Sequence, residues 1–381
     1  MELNILWCLL CSFFRACIWM ACLSESQLLC GELEPSNREV GCESYVERTK
    51  HAMTLTDVAR AAGVSPSTVS RILSGTARVT PETRQRVMVE IKRLNYQPNV
   101  LAQGLKRGQS RTVGVLTQEL NSPFFNETVQ GIEYGFEDSG YDPIFSGGHS
   151  RKSEERRALD VLRSRRVDAL IVVGSFLPDA LLLELAKESI LVMVGRRVSG
   201  LEAQCVFLDN VQGGLDATTH LTTLGHRRIA FVTGNNNHPD SAERFQGYCT
   251  ALSTAGIPFD PQLVVTGDFG EQSGLMAVDA LLSQGVRFTA LFAANDQMAC
   301  GARLALYRRG IRVPDDISLI GFDDLKHVLY AIPPLTTVRQ PMLEMGQCAA
   351  RLALNLLEGK SPPEHTFSPT LVVRESTAMA R

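Results

Sequence analysis

The chain is poor in the residues on which most enzyme chemistry depends. Its seven histidines show no metal-binding spacing, which argues against a zinc or other transition-metal centre. No Gly-x-Ser-x-Gly nucleophile elbow occurs. Gly359-Lys360-Ser361 has the ending of a phosphate-binding loop, but the required earlier glycine is missing and a helical pattern, not a strand, precedes it. Asp323 and Asp324 are adjacent, so their side chains diverge and make a poor acid/base pair. Low-complexity runs and repeats of solenoid period are also lacking. The net charge of −3 is ordinary, and 381 residues with 44% hydrophobic content can build several cores. These absences leave no catalytic site, metal or cofactor to expect.

Both tryptophans and six of the ten cysteines lie in the first 52 residues, which look foreign to everything after them. Leu3 to Leu23 is apolar apart from Arg15 and a few small polar residues. A membrane span would need about 20 apolar residues and tolerates a central arginine badly. A secretory signal would need a basic start and a small-residue cleavage site, whereas Glu2 opens the chain and leucines precede Cys30. The third reading, which we favour, is that Met53 is the natural start and 1–52 a non-native or disordered extension. Cys8 and Cys11 form a CxxC pair without histidine partners, so no metal site is expected there. Cys205, Cys249, Cys300 and Cys348 are scattered and read as reduced core residues of a cytoplasmic protein.

The most informative stretch is TLTDVARAAGVSPSTVSRIL, from Thr54 to Leu73. It reads as two short helices joined by a glycine turn. Val58, Ala61 and Ala62 are expected on the inner face of the first helix, and Gly63 supplies a left-handed turn residue. Ser65 can cap the second helix and Pro66 occupies its first position. Val69, Ile72 and Leu73 then face inward, while Ser67, Thr68, Ser70 and Arg71 point outward. Hydroxyls and one arginine in that row suit phosphate oxygens and the acceptor pair of guanine in a major groove. Thr80-Pro81-Glu82 starts a third helix ending near Leu94. From Thr54 to Arg107 there are nine Lys or Arg against three Asp or Glu, so the basic charge of a mildly acidic chain is concentrated in this module. A solvated helix pair within a larger helical domain is the plainer alternative.

From about residue 54 to the end, the chain resembles the lactose-repressor and galactose-repressor (LacI/GalR) family of bacterial transcription factors. The motifs that carry the resemblance are DVARAAGVSPSTVSRIL, NYQPNVLAQGL, FAANDQMACGA, LIGFDD and PLTTVRQP. The resemblance implies that Ser65, Ser67, Thr68, Ser70 and Arg71 are recognition and phosphate-contacting positions. It implies further that Asn99 to Leu105 is a hinge helix entering the minor groove, with Asn99 and Ala102 at the DNA and Leu105 as the wedge between base pairs. Gly104 departs from the helix-favouring residues common there and costs about 0.5–1 kcal/mol relative to alanine. The closing region, with TTVRQP and FSPTLVVRES, is most similar to the galactose and aryl-glucoside regulators.

From Thr112 onward, apolar strands alternate with amphipathic helices: VGVLTQ, a helix from about Phe124 to Ser139, DPIFSGG, a charged helix from about Ser153 to Arg165, DALIVVG, LVMVG, RRIAFVTG, LVVTGDF, ALFAAND and ISLIGF. That alternation makes parallel sheets covered on both faces. The elements are too many for one compact sheet, so the expected fold is α/β with two doubly wound halves, and ligand binds beyond the carboxyl ends of the strands. Ser122, Phe124, Phe125, Asn295 and Asp323 stand at those ends. Aromatic faces can stack on a sugar ring while amides, carboxylates and guanidinium bind its hydroxyls. Similarity to the family and to periplasmic sugar-binding proteins adds Arg196, Arg244, Phe269 and Gln340. The competing reading makes the phenylalanines core and the polar residues helix caps. Gly195 stands where sugar binders often carry Asp or Asn before the arginine.

The resulting organisation is an extension over 1–52, a helix-turn-helix domain over 53–98, a hinge helix and linker over 99–110, and a periplasmic-binding-protein-like effector and dimerisation domain over 111–381. Within the last, one lobe takes about 111–210 and 338–367, the other about 211–337 and 368–377. The expected function is a dimeric regulator, read as a repressor of a carbohydrate-utilisation operon. It would bind pseudo-palindromic double-stranded operator DNA and be switched by a small sugar or sugar-acid effector. No membrane partner is expected. The chain lacks a leucine-heptad tail that would build a tetramer. A periplasmic or membrane-anchored sugar-binding protein is the rival, and the basic module from Thr54 to Arg107 discriminates against it.

Overall fold

The computed structural model describes residues 53–97, 109–235, 238–360 and 365–381. The expectations for 1–52 and for Asn99, Ala102 and Leu105 lie outside the described residues. Contacts divide the chain into two units, one ending at Gln97 and the other beginning at Pro98.

In the first unit three helices enclose a small core: α1 (Leu55–Ala62), α2 (Pro66–Leu73) and α3 (Pro81–Arg93). Thr54 opens α1 with a reciprocal cap, accepting from the Asp57 amide while the Asp57 carboxylate accepts from the Thr54 amide. Gly63 ends α1 in the left-handed region at φ 62°. Ser65 accepts from the Thr68 amide at 3.1 Å and caps α2. Val58, Ala59, Ala62, Val69, Ile72, Val87 and Tyr96 form the core. Burial of side chains the size of Val69 and Ile72 contributes about 1.5–3 kcal/mol each. Ala61, expected inside, is exposed and Ala59 takes its place. At 100° per residue both Leu55 and Ala62 lie on the Ala59 side of Val58, which tilts the buried stripe towards position 59 and leaves 61 on its solvent flank.

The second unit contains two six-stranded sheets. In the first, β1 (Thr112–Thr117), β2 (Asp142–Gly147), β3 (Ala169–Val173), β4 (Ile190–Val194), β5 (Cys205–Leu208) and β11 (His365–Phe367) pair in parallel, in the order β11-β5-β4-β3-β1-β2. The second has the order β12-β10-β9-β8-β6-β7, with β6 (Ile229–Thr233), β7 (Val264–Thr266), β8 (Ala290–Ala293), β9 (Ser318–Asp323) and β10 (Thr336–Arg339) parallel and β12 (Thr370–Val372) antiparallel at the edge. Helices α4 (Pro123–Phe136), α5 (Lys152–Ser164) and α6 (Asp179–Glu188) belong to the first lobe. Helices α7 (Asn210–Thr223), α8 (Pro239–Thr254), α9 (Glu271–Ser283) and α10 (Asp296–Arg308) belong to the second. Helix α11 (Met342–Leu357) returns to pack on α4.

The chain therefore passes between lobes after β5, after β10 and between β11 and β12. The second passage lies beyond Arg339, slightly later than the sequence boundary at 338. Strands β5, β10, β11 and β12 were not expected. β10 in particular reads as polar, yet Thr336 and Thr337 are fully buried with their hydroxyls bonded to Thr377 and Asp296. Among the described residues no helix is long and apolar enough to cross a membrane.

Candidate functional site

Two surfaces carry the chemistry. On the first unit, Ser65, Ser67 and Arg71 are exposed and Thr68 and Ser70 half-buried, beside the core residues Val69 and Ile72. Ser65 Oγ lies 2.8 Å from both Ser67 Oγ and Thr68 Oγ1, so three hydroxyls cluster at the start of α2. The Arg71 side chain has no hydrogen-bond or ion-pair partner among the described residues, in contrast to Arg60 and Arg93, which pair with Asp57 and Glu90. A hydroxyl cluster at a helix N-terminus with a free guanidinium one turn on is well suited to phosphate and base edges.

On the second unit, a cleft of about 330 Å³ opens at the carboxyl ends of the strands of both sheets, a size that accommodates a small ligand. One wall is aromatic: Phe124 and Phe125 meet edge to face at 5.0 Å, at the first turn of α4, where the Ser122 hydroxyl makes no cap. His238 reaches between the lobes, edge to face with Phe176 at 5.7 Å and Phe269 at 5.6 Å. Gly234 makes room for Phe269, because a Cβ there would sit 2.0 Å from the ring.

The opposite wall is polar and centred on Arg244, which is 2% exposed. Its Nε donates to Asn210 Oδ1 at 2.9 Å and Nη1 to the Ala294 carbonyl at 2.5 Å. Nη1 lies 3.7 Å from Asp323 Oδ1, Nη2 lies 3.8 Å from Asp240, and the guanidinium stacks 3.7 Å from the Phe322 ring centroid. Asp323 Oδ1 accepts from Gln340 Nε2 at 2.6 Å. Each member of the ion pair is thus bonded to a residue at a lobe crossing, Arg244 to Asn210 and Asp323 to Gln340. Burial raises the Asp323 carboxyl to about 7, against the opposing pull of Arg244 and Gln340. Burial and the Asp323 charge also push Asp296 well up, although Thr337 and the Leu325 amide donate to it. Burial lowers His238, which keeps its ring neutral at pH 7.

Ser122, Phe124, Phe125, Arg244, Phe269, Asn295 and Asp323 all line this cleft. Gln340 lines the smaller recess behind Phe125 that adjoins it. Arg196 does not line the cleft. Its guanidinium donates to the carbonyls of Ser175 and Leu177 at 2.9 and 2.7 Å and pairs with Asp179, because these acceptors surround it on its own lobe. Asn295 is both a cap and a cleft residue: Oδ1 accepts from the Met298 amide and Nδ2 donates to the Phe269 carbonyl, which fixes that aromatic wall. Sequence reasoning missed Gln118, Phe176, His238 and Asp240. Gln118 could have been found as the polar end of VGVLTQ. His238, in a polar loop, gave no periodic signal.

Residues 54–99 match the model for bacterial regulatory proteins of the lacI family, and residues 218–377 match that for the periplasmic binding protein-like domain. The chain is 39% identical over 328 residues to the HTH-type transcriptional regulator GalR of Escherichia coli (strain K12), covering 85% of this chain and 96% of GalR. This chain belongs to the lacI family. As a lacI-family protein it is a DNA-binding transcriptional regulator rather than an enzyme. The lac repressor dimer bound to operator and an anti-inducer superposes with a TM-score of 0.78 at 31% identity, over 86% of this chain and 99% of the other. A lacI-family regulator from Enterococcus faecium with bound ribose gives 0.64 at 30% identity, over 71% of this chain and all of the other.

Proposed function

We propose that this regulator is a homodimeric repressor of a carbohydrate-utilisation operon whose operator affinity is set by a small sugar bound between the lobes. The observation that carries the reading is the cleft's unfinished hydrogen bonding. Gln118 Nε2 and His238 Nδ1 are buried there without a hydrogen-bond partner among the described residues, the Asp240 carboxylate standing 3.8 Å from His238 Nδ1, and an unmade buried hydrogen bond costs about 1–3 kcal/mol. A ring bearing hydroxyls above an apolar face supplies what the amide, imidazole and phenylalanine rings lack. The bonds Arg244–Asn210 and Asp323–Gln340 join the same wall to the crossings, so a ligand that binds one lobe arrangement better shifts its population. A sugar carrier with this two-lobed body would have no use for the three-helix unit.

Ser65, Ser67, Thr68, Ser70 and Arg71 are the proposed DNA contacts within the described residues. The dimer is supported by Tyr307, Tyr330 and Ile332, which are 79%, 81% and 90% exposed. Arg303 on α10 donates to the Ile332 carbonyl, which brings these apolar side chains to one region of the second lobe. The test is a fluorescence-anisotropy titration of operator DNA with the full chain, repeated in the presence of D-galactose, D-glucose, D-ribose and cellobiose. At least one sugar should move the operator affinity by about fivefold or more. Unaltered affinity with all of them would refute the reading for this ligand class.

A further inference from the structure

We propose that the cleft accepts an uncharged polyhydroxylated ring and rejects its anionic relatives, the uronic acids and phosphate esters. The inference rests on the effector reading above and narrows it. Four acidic side chains, Glu119, Asp240, Asp268 and Asp323, line the cleft against one guanidinium, and no lysine lines it among the described residues. That guanidinium is already engaged. Arg244 faces Asp323 and Asp240, and its donors also meet Asn210 and the Ala294 carbonyl. Arg196, the other cation expected here, is turned away onto Asp179 and two carbonyls of its own lobe.

The donors left for a ligand are therefore neutral. They include the Gln118 amide, the Ser122 hydroxyl that makes no cap, and the ring of His238, which burial keeps uncharged. A carboxylate or phosphate would lose its water to enter, meet a single guanidinium that already faces two carboxylates, and feel at least the three acids other than Asp323 even when that residue holds a proton. A neutral ring meets no such penalty, and an amino sugar gains from the same field.

The test is calorimetric titration of the full chain, at constant pH and salt, with a charge series. It uses D-glucose, D-galactose and D-ribose, then the 2-amino-2-deoxy, uronate and 6-phosphate forms of each hexose and ribose 5-phosphate. The parent sugar that binds best should exceed its anionic forms by at least about tenfold. The variants Asp268→Asn and Glu119→Gln should reduce that ratio several-fold. Asn at 268 can still accept the Gly270 amide that Asp268 Oδ1 accepts now at 2.8 Å. An anionic form that binds as tightly as its parent and alters operator affinity would overturn the charge inference while leaving the effector reading standing. An undiminished ratio in both variants contradicts its electrostatic origin. Failure of every sugar, neutral and charged, to bind would overturn both.

Discussion

Asp323 and Asp324 are neighbours in sequence, yet one faces the cleft and the other is locked to Arg339 and Arg374 at 2.7 and 2.6 Å. Their backbones make the divergence, with φ of 119° at the last residue of β9 and 61° at the residue after it. A strand-end position was enough to mark Asp323. Its electrostatic partner was not legible, because Asp296 comes from α10 and only the parallel pairing of β8 with β9 brings the two close. Burial holds the Asp323 carboxyl near 7 instead of its ordinary 3.8, so the folded state binds the proton more tightly than the unfolded chain. This contribution to stability is complete below 3.8 and is lost as pH rises through about 7. Urea unfolding of wild type and Asp323→Asn from pH 5 to 8 should show stability falling more steeply with pH in the wild type. His220, His226 and His238, all lowered by burial, act in the opposite sense but are common to both proteins. Equal slopes would contradict the raised carboxyl. On α2, Arg71→Ala should cost about 1–3 kcal/mol of specific operator affinity per half-site, with fold intact, in a gel shift at fixed salt.

Caps and hydrophobic periods made α1 to α3 and most of the parallel strands readable, since Ser65, Thr80, Gly63 and the runs VGVL, LIVV and LIGF act locally. What lay beyond reach depends on contacts between elements. Strand β10 is buried through threonines whose hydroxyls are satisfied from distant segments, and β11 and β12 are three-residue strands on either side of a lobe crossing. Helix pairs follow the same rule. Gly301 on α10 lets α9 approach so closely that a Cβ would stand 1.8 Å from the Glu271 carbonyl oxygen. Gly301→Ala should therefore lose about 1–3 kcal/mol, seen as a lowered urea midpoint. An unchanged midpoint would mean that the helices separate at no cost.

In the proposed regulator, DNA reading, dimerisation and effector binding depend on one another. Ile332→Glu places a charge at the exposed apolar region and should shift the protein toward monomer in analytical ultracentrifugation, with operator affinity falling as the second half-site is lost. A stable dimer in that variant would put the interface elsewhere. If the cleft governs the DNA-binding state, Asp323→Ala reveals it, because this carboxylate faces both Arg244 and Gln340 and lies well away, in sequence, from α2. The decisive measurement is a pair of operator titrations, with and without the sugar that shifts wild type, on wild type and Asp323→Ala. Matching operator affinity without sugar and a response in the wild type alone are expected. A mutant that still responds at the wild-type sugar concentration would contradict this, by showing that the effector acts from another site.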